Sequence, residues 1–446
     1  MTVCGPIWYT FLDMEENRIE EREKTLYRDS HDPLTGIYNR EGFFRAVRER
    51  LDAERGRVFY LVRVNIRDFK LVNQLFGFER GDEVLRETAE MLSGGRLLAE
   101  TAGRIHSDHF AILIREENFS ERSLRACFRI LSGRFSSMEY ALEYRVGIYK
   151  ITDPETDVSI MSDRANVALS SIGSDSLQLL AYYDESMMSQ ILMEKEILSE
   201  FQFALKERRF RVYLQPIVRP DGTLDSAEAL VRWVRSKEEK VAQPVDFIAI
   251  LEKTGLIHEM DTFVWEEAAR ILRSWKGTPL EKTRISVNIS PKDVFYVDLE
   301  ATFSDLVELY DISPERLNLE FTETMLMTEP SRYIELISRL RGKGFRVEID
   351  DFGSGYSSLN MLKDIVCDTL KIDMEFLKET QNRVRSRIIM ESVVNMSRKL
   401  GMQVIAEGVE SGEQRNLLTQ MNCDLLQGYY FAKPMPVEEF EEQYGT

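Results

Sequence analysis

Apolar positions along the chain alternate between two spacings. In the first half, RVFYLVRVNI (57–66) and HFAILIRE (109–116) are nearly continuous in branched and aromatic residues, as buried strands are. EGFFRAVRERLDAE (41–54) and GDEVLRETAEMLS (81–93) instead place apolar residues three or four apart, which predicts amphipathic helices. The mixture predicts an α/β domain of moderate size over about 30–185. MMSQILMEKEILSEFQFALKERR (187–209) predicts a long connector helix that also opens a second domain over 186–446. Ahead of both, residues 1–29 end in the charged stretch DMEENRIEEREKTLYRD (13–29), which predicts a solvated linker or signalling helix.

The second half repeats one unit. Eight strand-like runs each finish in a polar residue: FRVYLQ at Gln215, DSAE at Glu228, RISVN at Asn288, LNLE at Glu320, RVEID at Asp350, TLKID with Lys371 and Asp373, QVIAE at Glu407 and CDLLQ at Gln427. Helical patterns such as EPSRYIELISRLRGKG (329–344) and RVRSRIIMESVVNMSRKLG (383–401) separate most of them. Strands alternating with helices imply a parallel sheet, and eight such units imply a TIM-like (β/α)8 barrel. One junction departs from this. Only VRPDGTL (218–224) separates the first two runs, too little for a parallel crossover, and Pro-Asp-Gly is a turn signal. These two strands are therefore expected to form an antiparallel hairpin.

Composition narrows the chemistry. A hydrophobic content of 43% with 30% charged residues is that of a soluble globular protein, and 446 residues suggest two or three compact units. A formal charge of −18 argues against wrapping a DNA or RNA polymer, but not against a small anion held through a divalent metal. Four scattered cysteines without a C-x-x-C spacing fit a reduced, cytoplasmic setting, either alone or as the cytoplasmic part of a larger sensor. With only four histidines, a catalytic centre would lean on carboxylates, amides and lysine, which suits magnesium or manganese.

Barrel active sites sit at the C-terminal strand ends, where these polar residues fall. Three carboxylates and an amide, from Glu228, Asn288, Glu320 and Asp350, supply most of a hard six-coordinate shell, and Asp351 beside Asp350 allows a second ion. Two divalent ions suit water attack on a phosphodiester. Lys371 is placed to position that water, Glu407 to take its proton or ligate the second ion, and Arg232 to reach a phosphate. Each of these residues alone would read as a cap, a turn or a surface charge; their joint occurrence at strand ends carries the argument.

The motifs QPIV (215–218), EALVRW (228–233), VNISP (287–291), LEFTET (319–324), DDFGSGYSSL (350–359), LKID (370–373), AEGVE (406–410) and QGYYFAKP (427–434) carry a close resemblance to the EAL domain, the phosphodiesterase family that linearises cyclic di-GMP. The resemblance implies an EAL-type barrel with an antiparallel first strand. It implies that Glu228, Asn288, Glu320 and Asp350 ligate the first ion and Asp351 the second, and that Lys371 and Glu407 activate water. Asp373 and Gln427 take the remaining polar positions around the ions, and Gln215, Arg232, Pro291 and Gln427 meet the substrate. Glu323 anchors the loop 351–359, which the family uses for metal binding and for coupling to a homodimer interface.

The first half resembles the GGDEF domain, a ferredoxin/cyclase-like fold that makes cyclic di-GMP from GTP, through DPLTGIYNR (32–40) and FKLVNQLFGFERGDEVL (69–85). Asn73 and Asp82 match its guanine-reading positions. The signature itself is lost: HSDHF (106–110) replaces Gly-Gly-Asp/Glu-Glu-Phe, Asn65 stands for a metal-binding aspartate, and Gly173 for a phosphate-binding lysine. LLAE (97–100) occupies the position of the product-inhibition motif. The expected first domain is thus a regulatory remnant that binds GTP through Asn73 and Asp82, or a bare scaffold, without cyclase activity. His106 and His109 are expected as solvent-facing polar residues rather than metal ligands. For the whole chain the expectation is a metal-dependent phosphodiesterase with cyclic di-GMP as substrate and pGpG as product; the alternative is a non-catalytic cyclic di-GMP receptor.

Overall fold

The computed structural model describes residues 27–135, 142–173, 178–235, 240–353, 363–373 and 383–445. It divides into Met1–Met193 and Glu194–Thr446. The charged helix expected over 13–29 lies almost wholly outside the described residues.

In the first unit, α1 (Arg40–Ala53), β1 (Phe59–Ile66), α2 (Phe69–Phe76), α3 (Phe78–Ser93), β2 (Ala99–His106), β3 (His109–Arg115), α4 (Glu121–Arg134), β4 (Tyr144–Lys150), α5 (Val158–Ser170) and β5 (Leu180–Tyr182) follow in order. The sheet runs β2-β3-β1-β4-β5, antiparallel except for β4 with β5. Alternation along β1 sends Val62, Val64 and Ile66 to one face, packed with Val84, Leu85 and Leu124 from α3 and α4. Phe59 and Leu61 face the other way, against Phe43, Val47, Met161 and Ala165 from α1 and α5. The nearly unbroken apolar run of β1 follows from being covered on both faces.

Helix α6 (Glu185–Lys206) leads into the second unit. Its strands are β6 (Phe210–Val218), β7 (Leu224–Arg235), β8 (Lys240–Ala242), β9 (Arg284–Ile289), β10 (Leu317–Thr322), β11 (Arg346–Phe352), β12 (Thr369–Asp373), β13 (Gln403–Glu407), β14 (Leu425–Leu426) and β15 (Met435–Pro436). The helices between and after them are α7 (Pro244–Thr254), α8 (Ile257–Ser274), α9 (Asp293–Tyr296), α10 (Leu299–Leu309), α11 (Glu323–Thr328), α12 (Pro330–Gly342), α13 (Arg383–Lys399), α14 (Gly412–Gln420) and α15 (Val437–Tyr444). Strands β7 and β9 to β14 pair in parallel, and β6 closes the barrel antiparallel to both β7 and β14. The expected hairpin is there: Gly222 adopts φ +90°, and its N–H donates to the Arg219 carbonyl at 2.8 Å.

Two expectations change. Gln215 and Glu228 lie within β6 and β7 rather than at their ends, because the antiparallel hairpin continues past both. Strands β8 and β15, which pair with β7 and β6, were not expected; at three and two residues they are too short for any periodicity to mark. The barrel's packing is aromatic near the hairpin, where Phe210 lies 4.9 Å from Trp233 and Trp233 5.6 Å from Phe247, ring centre to ring centre.

Candidate active site

Parallel register brings the polar residues to one level. Glu320 on β10 stands opposite Asn288 on β9 and Glu348 on β11, Thr322 opposite Asp350, and Asp373 on β12 opposite Glu407 on β13. At their centre is Lys371, which is fully buried. Its Nζ lies 2.7 Å from Glu407 Oε1, 3.0 Å from Glu320 Oε1, 3.3 Å from Glu228 Oε2 and 3.6 Å from Asp350 Oδ1. Gln427 Nε2 donates to Glu228 Oε2 at 2.7 Å and to Gln215 Oε1 at 3.2 Å, while Asn288 Nδ2 donates to Glu228 Oε1 at 3.3 Å.

Four carboxylates thus surround one ammonium. Burial, and then the charge of Glu228, push the Glu320 carboxyl well above the ordinary range. Burial does the same to Glu407, against the pull of Lys371. For Lys371 burial works to lower the pKa, but Asp350, Glu228, Glu320 and Glu407 together outweigh it, so the amine stays charged. Asp351 is raised by burial and by its neighbour Asp350. Its backbone is left-handed, φ +57°, with its N–H on Asp350 Oδ1 at 2.8 Å.

The donors are the hard oxygen type that divalent magnesium or manganese takes, and one lysine does not balance them. Neither oxygen of Glu320 accepts a hydrogen bond. The residues therefore fit divalent ions in charge and donor chemistry. Yet among the described residues no three carboxylate, imidazole or thiol groups already converge on one cation position. Lys371 stands between the acids that the sequence reading had expected to converge around a metal.

A cavity of about 410 Å³ opens here, lined by Gln215, Glu228, Asp350, Asp373, Glu407 and Gln427 among others. Leu230, Glu410 and Tyr429 also line it, and sequence reasoning missed all three. Gly428, between Gln427 and Tyr429, adopts φ +157°, and a Cβ there would lie 2.2 Å from the Val409 carbonyl, so the close turn requires glycine. Arg232 is half-buried and 5.6 Å from the Tyr213 ring; burial lowers its guanidinium pKa, with Tyr429, Tyr213 and Glu228 acting the other way. Pro291 is exposed on the turn after β9 and does not line the cavity. Glu323 accepts a hydrogen bond from Gly353 N at 3.0 Å, at the head of the expected loop. The rest of that loop, from 354 on, lies outside the described residues.

Also missed was a layer beneath the mouth. Glu348 accepts from Ser286 Oγ at 2.9 Å and from Asn318 Nδ2 at 2.8 Å, all three fully buried. A signal existed: each stands two residues before a candidate ligand (Asn288, Glu320 or Asp350), hence on the same strand face. Two larger cavities, 760 and 690 Å³, lie at the other ends of β9 to β11, with lining charges of mixed sign such as the Lys276–Asp311 pair at 2.9 Å.

The equivalent place in the first unit is different. Asn65 on β1 faces His109 on β3, and the His106 and His109 rings lie 4.3 Å apart, tilted by 38°. His106 is exposed, as expected, and His109 is half-buried beside it. Burial and the nearby Arg63 charge lower both imidazole pKa values, so both are neutral near pH 7. Arg63 is 3% exposed, and its Nη1 donates to Ser162 Oγ at 2.8 Å. A divalent cation finds little to hold it there. Asn73 packs against Gly81, beside Asp82.

An eight-stranded barrel with an acid-rich cup at the C-terminal strand ends has the layout of a barrel hydrolase. Residues 198–434 match the EAL domain family and residues 29–176 the diguanylate cyclase GGDEF domain. The chain belongs to the EAL family, with a GGDEF domain ahead of the EAL domain. It is 30% identical over 435 residues to signaling protein YkoW of Bacillus subtilis, covering 94% of this chain and 54% of that protein. It is 28% identical over 454 residues to cyclic di-GMP phosphodiesterase PdeR of Escherichia coli, covering 96% and 65%. Among solved structures, the PaMucR phosphodiesterase in a c-di-GMP complex matches 55% of this chain and 99% of its own, at 32% identity and a TM-score of 0.52. The chain spans between half and two thirds of the length of these curated relatives. Among the described residues no helix is long and apolar enough to cross a membrane.

Proposed function

We propose that this chain is a metal-dependent cyclic di-GMP phosphodiesterase that opens one 3′–5′ bond to release linear pGpG. The observation that carries the reading is the buried cluster of Glu228, Glu320, Asp350 and Glu407 around Lys371. Divalent ions held by Glu228, Asn288, Glu320, Asp350 and Asp351 would polarise the phosphoryl oxygens and acidify the attacking water. Glu407, paired to Lys371, stands ready to accept a proton, and Lys371 offsets charge as it grows on phosphate. Gln427 holds Glu228 in place and is itself held by Gln215, and Arg232 and Asp373 stand ready for the substrate. The kinship with PdeR and the fit to the PaMucR complex support cyclic di-GMP as the substrate.

The first domain is proposed to make no cyclic di-GMP, because Asn65 and His109 put neutral groups where its family binds metal, and Arg63 opposes a cation. Asn73 and Asp82 leave GTP binding as its proposed regulatory role. Dimerisation through the EAL domain and a cytoplasmic setting complete the proposal. The second reading, a receptor that binds without cleaving, is favoured by the ion pairs of Lys371, which occupy the acids that would ligate metal.

One assay separates them. The purified chain is incubated with cyclic di-GMP and magnesium or manganese, with and without GTP, and pGpG is followed. Metal-dependent pGpG that disappears with EDTA is expected. Intact substrate at high enzyme concentration, with binding retained, overturns the hydrolase in favour of the receptor.

A further inference from the structure

Asn288 leaves β9 into a turn that is gripped from both sides by one helix. Trp265 Nε1, on α8, donates to the Asn288 carbonyl at 3.0 Å. One helical turn earlier on the same face, Asp261 Oδ2 accepts from Ser290 Oγ at 2.6 Å. Ser290 N donates in turn to Asp293 Oδ2 at 2.7 Å, and Asp293 N returns to the Ser290 carbonyl at 3.0 Å. Both acids are out of water: Asp261 is 6% exposed and Asp293 is not exposed at all. Burial, and then the charge of Asp293, push the Asp261 carboxyl well above the ordinary range. Asp293 Oδ1 is buried without a hydrogen-bond donor.

We infer that Asp261 and Asp293 are positioning residues of the barrel mouth, their buried carboxyl groups locking from two sides the Ser290 turn that aims the Asn288 amide. Trp265 fixes the backbone on one side of Ile289 and the acid pair fixes it on the other, so the side chain that meets Glu228 has little freedom left. The charged and titratable groups around the pair, Glu252, His258 and Lys292, are on α7, on α8 and in the turn itself. Two buried carboxyl groups are a costly way to hold a turn; burial, the largest influence, raises the Asp293 pKa to about 6 against the pull of its Ser290 hydrogen bond. Packing would be served as well by an apolar pair. What the acids add is direction, since the Ser290 hydroxyl, the Ser290 N–H and the Asp293 N–H fix the turn at three points.

The inference rests on the metal-dependent reading of the mouth, and the test keeps the two apart. Manganese binding to the full chain without substrate is measured by calorimetry, alongside thermal melting and hydrolysis, for wild type, Asp261→Ala, Asp261→Asn and Ser290→Ala. Asp261→Ala is expected to weaken manganese binding by about 10- to 100-fold, the usual scale for groups that orient metal ligands. Asp261→Asn restores it to within about threefold, because the amide oxygen accepts from Ser290 and the amide N–H is a donor beside the unpartnered Asp293 Oδ1. Ser290→Ala loses up to about tenfold, and as the gentler change it decides the matter if Asp261→Ala does not fold. A lowered melting temperature with wild-type manganese affinity in the folded variants overturns the inference alone. No manganese binding by wild type overturns the functional reading and the inference with it.

Discussion

Each domain buries a cation in its sheet, and the two cations have opposite surroundings. Lys371 meets four carboxylates within 3.6 Å. Arg63 has no carboxylate within ion-pair distance among the described residues; it has the Ser162 hydroxyl, two neutral imidazoles and the amide of Asn65 nearby. A charge kept in low dielectric is costly unless paired, so the first arrangement is self-consistent and the second is not. The barrel mouth has the charges of a working site. At the head of the first sheet the cation has no ion-paired acid among the described residues, and Asp108 is the acid whose charge reaches the two imidazoles.

The largest test of this contrast removes the barrel's cation. Lys371→Met should reduce hydrolysis about 10³-fold, the scale on which single preorganised charges act in a closed site. The remaining acids would repel one another and take up protons, so a drop in melting temperature should accompany the loss. Single-turnover measurement with saturating manganese checks it; a variant that cleaves within tenfold of wild type would show that Lys371 is a structural counter-ion only.

A smaller effect is expected where the mouth meets its loop. Glu323→Gln keeps the size of the side chain but weakens its acceptance from Gly353 N, a bond to a charged oxygen in the present structure. Metal-dependent hydrolysis should fall about tenfold, with the loss in the manganese requirement rather than in cyclic di-GMP affinity. If substrate KM moved instead, Glu323 would belong to the substrate side.

How far the sequence reached differs in the same way. The barrel was legible because its rule is periodic: eight apolar runs with polar ends, and one junction too short to cross over. What the rule could not show was depth. Strand-end reasoning placed Glu228 at a terminus, although the hairpin carries β7 on to Arg235. It also gave Lys371 a role beside the acids, whereas the side chain lies between them, a fact of three-dimensional reach rather than of pattern. Ser286, Asn318 and Glu348 could have been found by counting back two residues along neighbouring strands. Asp261 could not, since it reaches Ser290 from a helix 29 residues away. In the first domain the losses at 65, 106, 107 and 109 were plain, but Arg63 attracted no notice. It sits in an apolar strand, and nothing in the spacing says that its guanidinium turns inward.

That residue supplies the smallest and sharpest test. Arg63 Nε is buried without a hydrogen-bond partner, and burial lowers the guanidinium pKa to about 10. An unpaired buried cation of this kind is often improved on by an apolar side chain of similar length. Asp163 is near enough to favour the charge, but not to pair with it. Arg63→Met is therefore expected to stabilise the first domain by about 1 kcal/mol, read as a higher denaturation midpoint with an unchanged slope. Hydrolysis by the barrel should remain within about twofold of wild type, since Arg63 takes no part in that chemistry. Destabilisation by the same amount would mean that the charge is satisfied in solution by something bound at the head of the sheet. Adding GTP or inorganic phosphate to the wild type would then identify it: whichever raises the wild-type midpoint while leaving that of Arg63→Met unmoved is the anion that the arginine holds.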